Sequence, residues 1–185
     1  LGEGSHVLVA RAKDAAGNVG PDSDPVTVLV DRTPPGVPLV SVPADGAVLG
    51  LDEAPGGVVA VSGSAEVDAT VELQVSGVPL PAVAAGADGA FSTTVSLADG
   101  DYLVSARAVD AAGNAGGWSV PNAFRLDTAP PGQPLLTTPA DGASLDDLTI
   151  RVEGLVDADT VAVDLLEGGL VVATATPVAG AVAFD

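Results

Sequence analysis

The sequence contains no cysteine and no methionine, and its aromatic residues are limited to one Trp, one Tyr and three Phe. Without cysteine, the chain has neither disulfide bonds nor zinc sites built from thiolates. Basic residues are also scarce: six Lys and Arg stand against 25 Asp and Glu, for a formal net charge of −19. So few cations leave no patch that could neutralise phosphates, and nucleic acid is not an expected partner. No apolar run approaches the roughly 20 residues of a transmembrane helix, so membrane insertion is not expected in this segment.

Turn-forming residues and small apolar residues make up much of the chain. It has 23 Gly and 15 Pro, yet 47% of its residues are hydrophobic, which is too many for a disordered chain. Val71, Leu73 and Val75 alternate with polar residues, the pattern of an antiparallel strand with one solvated face. No segment keeps the 3.6-residue period of a helix. Composition and alternation therefore predict an all-β protein.

One stretch occurs twice. Residues 4–18 and 100–114 agree at nine of fifteen positions, and both end in Asp-Ala-Ala-Gly-Asn. Asp31 and Asp127 have the same spacing of 96 residues, as do Pro43 and Pro139. A period of 96 fits one immunoglobulin-like sandwich of roughly 100 residues. The sequence therefore predicts tandem seven-stranded Ig-like β-sandwiches, about 96 residues per repeat.

The repeat landmarks divide the chain into three predicted domains: the C-terminal part of one repeat at 1–33, a complete repeat at 34–130, and the N-terminal part of a third at 131–185. For the middle repeat, strands are predicted near 38–43, 57–63, 69–76, 78–84, 89–97, 101–109 and 119–126. Because the chain has no Met and opens on Leu1, we expect it to be an internal fragment of a longer protein.

The Gly-x-Tyr strand, the Ala-x-Asp-x-Ala-Gly-Asn loop, and the Thr-Pro-Pro or Ala-Pro-Pro linker resemble the bacterial Ig-like repeats of large secreted and surface proteins. Fibronectin type III domains are similar around 97–102. The resemblance implies a secreted or cell-surface location and tandem display. We therefore expect a structural stalk or adhesive spacer, and not an enzyme. The alternative is a carbohydrate- or protein-binding accessory module of a secreted enzyme.

The strand at 100–109 carries the predicted corner of the fold. One face of this strand carries Tyr102, Val104, Ala106 and Ala108, and the other carries Arg107. Because the charged Arg107 side chain needs water, the face with Tyr102 is predicted to lie in the core. Tyr102 is predicted to form a tyrosine corner, with its hydroxyl bonded to backbone upstream. The only His of the chain, His6, stands at the same place in the first repeat, and we expect that hydrogen bond to be missing there.

Acidic loops at the junctions between repeats predict a Ca²⁺ site, since Ca²⁺ accepts oxygen ligands from several loops. The candidate ligands are Asp31, Glu66, Asp68, Asp110 and Asn114 at the first junction, and Asp127, Asp157 and Asp159 at the second. The alternative is that Asp110 and Asn114 only close their own turn.

Trp118 is the one Trp, and Asp22 takes its place in the first repeat. It either anchors a partner or sugar, or packs in the core or at a domain junction. The expected partners are neighbouring repeats of the same chain and a possible cell-surface or glycan ligand. The incomplete repeats at both ends leave two interpretations open: an excerpt of a longer array, or head-to-tail self-association in which neighbouring molecules complete each other.

Overall fold

The computed structural model describes residues 1–144, 146 and 150–184. Nearly all regular structure in these ranges is β, with a single 3-10 turn at Pro55–Gly57. The chain divides into two compact units, Leu1–Thr128 and Ala129–Asp185. The all-β prediction is confirmed.

The first unit contains thirteen strands. They are β1 (Gly4–Leu8), β2 (Arg11–Lys13), β3 (Val19–Asp22), β4 (Val26–Val30), β5 (Leu39–Val42), β6 (Ala47–Leu49), β7 (Val58–Ser64), β8 (Thr70–Val75), β9 (Val78–Pro79), β10 (Val83–Ala84), β11 (Ala90–Ser96), β12 (Gly100–Val109) and β13 (Asn122–Leu126). The second unit contains β14 (Leu135–Thr138), β15 (Val152–Leu155), β16 (Val163–Glu167), β17 (Leu170–Ala175) and β18 (Ala181–Phe184).

Strands β5 to β13 form two sheets that share one core, which we call the central sandwich. One sheet has the order β11-β7-β5, and the other has the order β10-β8-β12-β13-β6, with β9 paired to β8. The core is formed by side chains from both sheets: Val40, Ala54, Val59, Val61, Val71, Leu73, Val75, Ala85, Phe91, Val104, Ala106, Phe124 and Leu126. Apolar alternation along each strand therefore places its inner face against the opposite sheet.

Strand β12 places its predicted inner face in the core, and Ser105 on the other face is buried as well. Val104, Ala106 and Ala108 are fully buried, and Tyr102 is half-buried beside the core. Arg107 lies on the outer face and is partly exposed. Strand β12 thus contributes to the core the side chains that the alternation predicts.

Two details of the central sandwich differ from the predicted strands. Strand β6 was not predicted, and it pairs in parallel with β13. The segment 78–84, predicted as one strand, is divided into β9 and β10. Pro79 and Pro81 lie in that segment, and proline has no N–H to donate to a ladder, so continuous pairing is interrupted.

Strands β1 to β4 form two antiparallel pairs, β1-β4 and β2-β3, and the first of them copies part of the central sandwich. All five residue pairs of β1 with β4, from Gly4↔Val30 to Leu8↔Val26, have counterparts 96 residues later in β12 and β13. Their burial differs, since Leu8 is 43% exposed and Val26 is 59% exposed. The pairing register is thus the same in both places, whereas the predicted inner face is covered only in the central sandwich.

The second unit contains a three-stranded sheet, β14-β15-β18, and the hairpin β16-β17. Val163, Val182 and Phe184 form its small core. Strand β15 lies between β14 and β18 as β7 lies between β5 and β11. This unit therefore repeats the three-stranded sheet of the central sandwich.

Candidate functional site: corners and junction loops

Tyr102 lies at the start of β12, where the chain enters the second sheet. Its hydroxyl donates a hydrogen bond to the carbonyl of Ala98, at 2.9 Å. Its ring stacks on Phe124 of β13, with the ring centroids 5.6 Å apart. The hydrogen bond is the one that the tyrosine-corner assignment predicts.

His6 makes the same contact by different chemistry. Its Nε2 lies 2.8 Å from the carbonyl oxygen of Gly2, four residues upstream, just as Ala98 lies four residues before Tyr102. A ring N–H can donate to a carbonyl as a phenol does. The expectation that the first corner lacks this bond is therefore wrong, because the imidazole supplies the donor.

We expect Tyr102→Phe to lower the free energy of unfolding by about 1 kcal/mol, the net value of one hydrogen bond. The phenyl ring should keep its stacking on Phe124, so the fold should persist. Urea denaturation followed by Trp118 fluorescence would measure the change, with Ser92→Ala on the exposed side of β11 as the control. A Tyr102→Phe variant as stable as wild type would show that the bond to Ala98 contributes nothing net.

The loop at 110–114 is closed by its two end residues. Asp110 Oδ1 accepts from the backbone N–H of Asn114, and Oδ2 accepts from Asn114 Nδ2, both at 2.8 Å. The loop at 14–18 has the same two bonds between Asp14 and Asn18, also at 2.8 Å. The Asn side-chain bond is the main cause that lowers the pKa of each Asp below its ordinary value. Both carboxylates are thus charged acceptors at neutral pH.

Asp31 lies at the end of β4 and meets the loop at 110–114. Its backbone carbonyl accepts a hydrogen bond from Asn114 Nδ2 at 3.1 Å. Its own carboxylate Oδ1 accepts from the backbone N–H of Thr33 at 3.0 Å. Asp31 therefore contacts this loop, but through its backbone carbonyl oxygen and not through its carboxylate.

The other predicted ligands of the first unit lie in local turns. Glu66 and Asp68 belong to the turn between β7 and β8, where Asp68 has a left-handed backbone with φ of 60°. Asp127 follows β13, and its Oδ2 pairs with Arg125 Nη2 at 3.4 Å. Glu66 and Asp68 thus belong to a turn, and Asp127 lies at the end of a strand.

In the second unit, Asp157 Oδ2 accepts a hydrogen bond from the backbone N–H of Gly132 at 2.7 Å. Asp159 is exposed in the adjoining turn. Over residues 1–144, 146 and 150–184, no three His, Cys, Asp or Glu side chains are grouped to hold a metal ion. The calcium site stays a prediction. Asp31, Asp110 and Asp157 accept hydrogen bonds through their carboxylates.

Trp118 forms part of a three-residue cluster on the outer face of the β8-β12 pair. The guanidinium of Arg107 lies over the indole, 5.1 Å from the ring centroid. Arg107 Nε also pairs with Glu72 Oε2 at 2.6 Å. In the β2-β3 pair, the residue 96 positions earlier, Arg11, pairs with Asp22. The two arginines are therefore contacted by residues at equivalent positions: Arg107 by the ring of Trp118, and Arg11 by the carboxylate of Asp22.

Sequence reasoning missed the partners of Arg107. The alternation placed Arg107 in solvent, but Glu72 lies directly opposite it in the ladder. Opposite charges at facing positions of neighbouring strands attract each other. That signal could be found only once the register of β8 and β12 was known.

Comparison with solved structures supports the fold. The chain is similar to a structure described as fibronectin(III)-like modules of Clostridium thermocellum CbhA, with a TM-score of 0.50 and 16% sequence identity. The match covers 80% of this chain and 77% of that one. No protein-family model matches the sequence, and no curated protein was found to be similar. Across the described residues, no helix has the length and apolar character needed to cross a membrane. The chain therefore has a fibronectin(III)-like, all-β fold.

Proposed function

We propose that this chain is a spacer made of tandem Ig-like repeats of about 96 residues, within a longer secreted or cell-surface protein. The observation that carries the proposal is the agreement between β1-β4 and β12-β13, in which five of five paired positions recur 96 residues apart. A register shared over five consecutive pairs is a specific feature, because a shift of one residue would turn every side chain to the opposite face.

Hydrogen bonds outside the ladders support the same spacing. Glu3 Oε1 accepts from the backbone N–H of Arg32 at 2.9 Å, and Asp99 Oδ1 accepts from that of Thr128 at 2.9 Å. These carboxylates, like the backbone donors they bind, are 96 residues apart. In each place the carboxylate fixes the start of the linker that follows the last strand. The hydrogen bond at the start of the linker thus recurs together with the strands. A spacer needs such a bond to set the direction of the repeat that follows.

A spacer function is tested by length. Proteins made of two, three and four consecutive copies of residues 34–130 should grow linearly in maximum dimension, measured by small-angle X-ray scattering. The ten-residue strand β12 sets the increment, since a strand rises about 3.3 Å per residue and each copy should therefore add roughly 33 Å. A maximum dimension that stays nearly constant as copies are added would rule the spacer out.

A binding module is the second candidate, because Trp118 is 40% exposed. Aromatic rings on protein surfaces are frequent binding residues. The guanidinium of Arg107 already covers part of that ring, which favours the spacer. Binding to a glycan array that is lost in Trp118→Ala and kept in Trp118→Phe would favour the binding module instead.

Calcium at the junctions and head-to-tail association remain part of the proposal in subordinate roles. The net charge of −19 means that a bound cation would relieve repulsion between acidic loops. The same scattering series, measured with calcium and with chelator, would show whether calcium changes the length of the array. Sedimentation of the 185-residue chain over a range of concentrations would show whether it associates.

A further inference from the structure

The side chain of Asn114 connects two parts of the first unit. Its Nδ2 donates to Asp110 Oδ2 at 2.8 Å and to the carbonyl oxygen of Asp31 at 3.1 Å. A primary amide has two N–H donors, so both bonds form at once. The first bond closes the loop at 110–114, and the second reaches the residue that follows β4. Asn114 is also partly buried, whereas Asn18 of the equivalent loop is exposed.

Both sides of this contact are also held by other hydrogen bonds. On one side, Asp31 Oδ1 and Glu3 Oε1 accept from the backbone N–H groups of Thr33 and Arg32, at 3.0 and 2.9 Å. These bonds fix the direction of the chain around the Asp31 carbonyl. On the other side, the two bonds to Asp110 fix the amide of Asn114. Groups that are already ordered lose little entropy when they bind each other.

The linker that follows also lies against the central sandwich. Pro35 is buried, and a Cβ at Gly116 would approach the Pro35 carbonyl oxygen to 2.5 Å. Gly116 in turn donates its backbone N–H to Ala108 of β12 at 2.8 Å. The linker thus contacts the segment just after the loop, which places a second point of attachment next to Asn114.

We propose that the loop at 110–114 is a docking site for the end of the preceding repeat, and that Asn114 holds the carbonyl at the exit of that repeat's last strand. The proposal rests on the proposed function, since it takes 1–33 and 34–130 as consecutive repeats. It identifies the partner by chemistry: a backbone carbonyl one residue beyond a closing strand. The recurring Asp-Ala-Ala-Gly-Asn sequence then serves two purposes, closing its own turn and setting the angle to its neighbour.

The absence of cysteine makes the full chain suitable for a distance measurement. Nitroxide labels at Thr27→Cys on β4 and Thr94→Cys on β11, both exposed positions, would report the distribution of distances between the two parts by dipolar electron spectroscopy. Asn114→Ala removes the bond to Asp31 together with the loop bond. Asn18→Ala removes the same loop bond to Asp14 and leaves the junction intact, so it is the matched control.

The wild type should give one narrow distance peak. Asn114→Ala should place about fivefold more of the population outside that peak, which corresponds to the loss of one hydrogen bond of about 1 kcal/mol net. Asn18→Ala should match the wild type. A wild-type distribution that is already broad, an unchanged Asn114→Ala distribution, or equal broadening in the control would each overturn the proposal.

A second measurement covers the case in which Asn114→Ala fails to fold, as judged by circular dichroism. In the wild-type chain, exchange of the side-chain amide protons of Asn114 should be slower than that of Asn18. Equal exchange rates would overturn the docking site. Neither result affects the growth of length with copy number, so failure of this inference and failure of the spacer function are separately detectable.

Discussion

Ala106→Asp should unfold the central sandwich or bring it close to unfolding, with an expected loss of about 3–5 kcal/mol. Ala106 is fully buried in the middle of β12, opposite Leu73 of β8. A carboxylate there would face an apolar core with no cation beside it, and an isolated buried charge is costly. Small domains are stable by about 5–15 kcal/mol in total, so the loss would be a large part of the whole.

The matched control is Ala60→Asp, which makes the same substitution on the exposed face of β7. It should change the free energy of unfolding by less than about 1 kcal/mol, the range of strand propensities. Urea unfolding followed by the fluorescence of Trp118 would compare the two variants. If Ala60→Asp were the more destabilising, the assignment of inner and outer faces would be wrong.

Gly63→Ala should cost about 3 kcal/mol, at the upper end for overpacking by a single methyl group. Gly63 lies in β7, paired on one side with β5 and on the other with β11. A Cβ at this position would collide with the Leu39 carbonyl oxygen and approach Phe91 Cζ to 2.8 Å. The first of these atoms belongs to the backbone of a hydrogen-bonded strand, so it cannot move aside cheaply.

Gly36→Ala is the control for this substitution. Nothing lies within 4 Å of a Cβ at Gly36, and alanine reduces the freedom of the unfolded chain. We expect this variant to equal or slightly exceed the wild type in thermal unfolding temperature. If Gly63→Ala had the same thermal unfolding temperature as Gly36→Ala, then β5 and β7 would not be so closely packed in solution.

Alternation was sufficient to predict the inner faces of β8 and β12, because the apolar side chains of each strand lie on one face, although Ser105 on the outer face of β12 is also buried. It was not sufficient for β6, which has only three residues and pairs with residues 77 positions later in the chain. Short strands held by distant partners carry little local signal. The sequence therefore predicted the class of fold and the main core, while the edge of the second sheet needed the structure.

The candidate site was predicted in part. The spacing of Asp110 and Asn114 indicated a closed turn, and their hydrogen bonds have that form. Sequence alone could not distinguish a carboxylate that binds a cation from one whose oxygens already accept N–H donors, because both use the same residues. Nor could it predict the bond of His6 to Gly2, since that bond depends on whether the imidazole nitrogen comes within hydrogen-bond distance of the carbonyl in the folded chain.

The shared register of β1-β4 and β12-β13 also has a consequence for folding. If the two segments are consecutive repeats, as proposed above, their interchangeable strand pairs are open to strand exchange during folding, a common failure of repeat proteins. A β1-β4 pair that entered the central sandwich in place of β12-β13 would form the same ladder. It would, however, bring His6 and Val28 to the place of the stacked pair Tyr102 and Phe124, and leave the buried volume of Phe124 unfilled. The difference in ring residues thus disfavours the wrong strand pair, while the backbone hydrogen bonds common to both pairs are preserved.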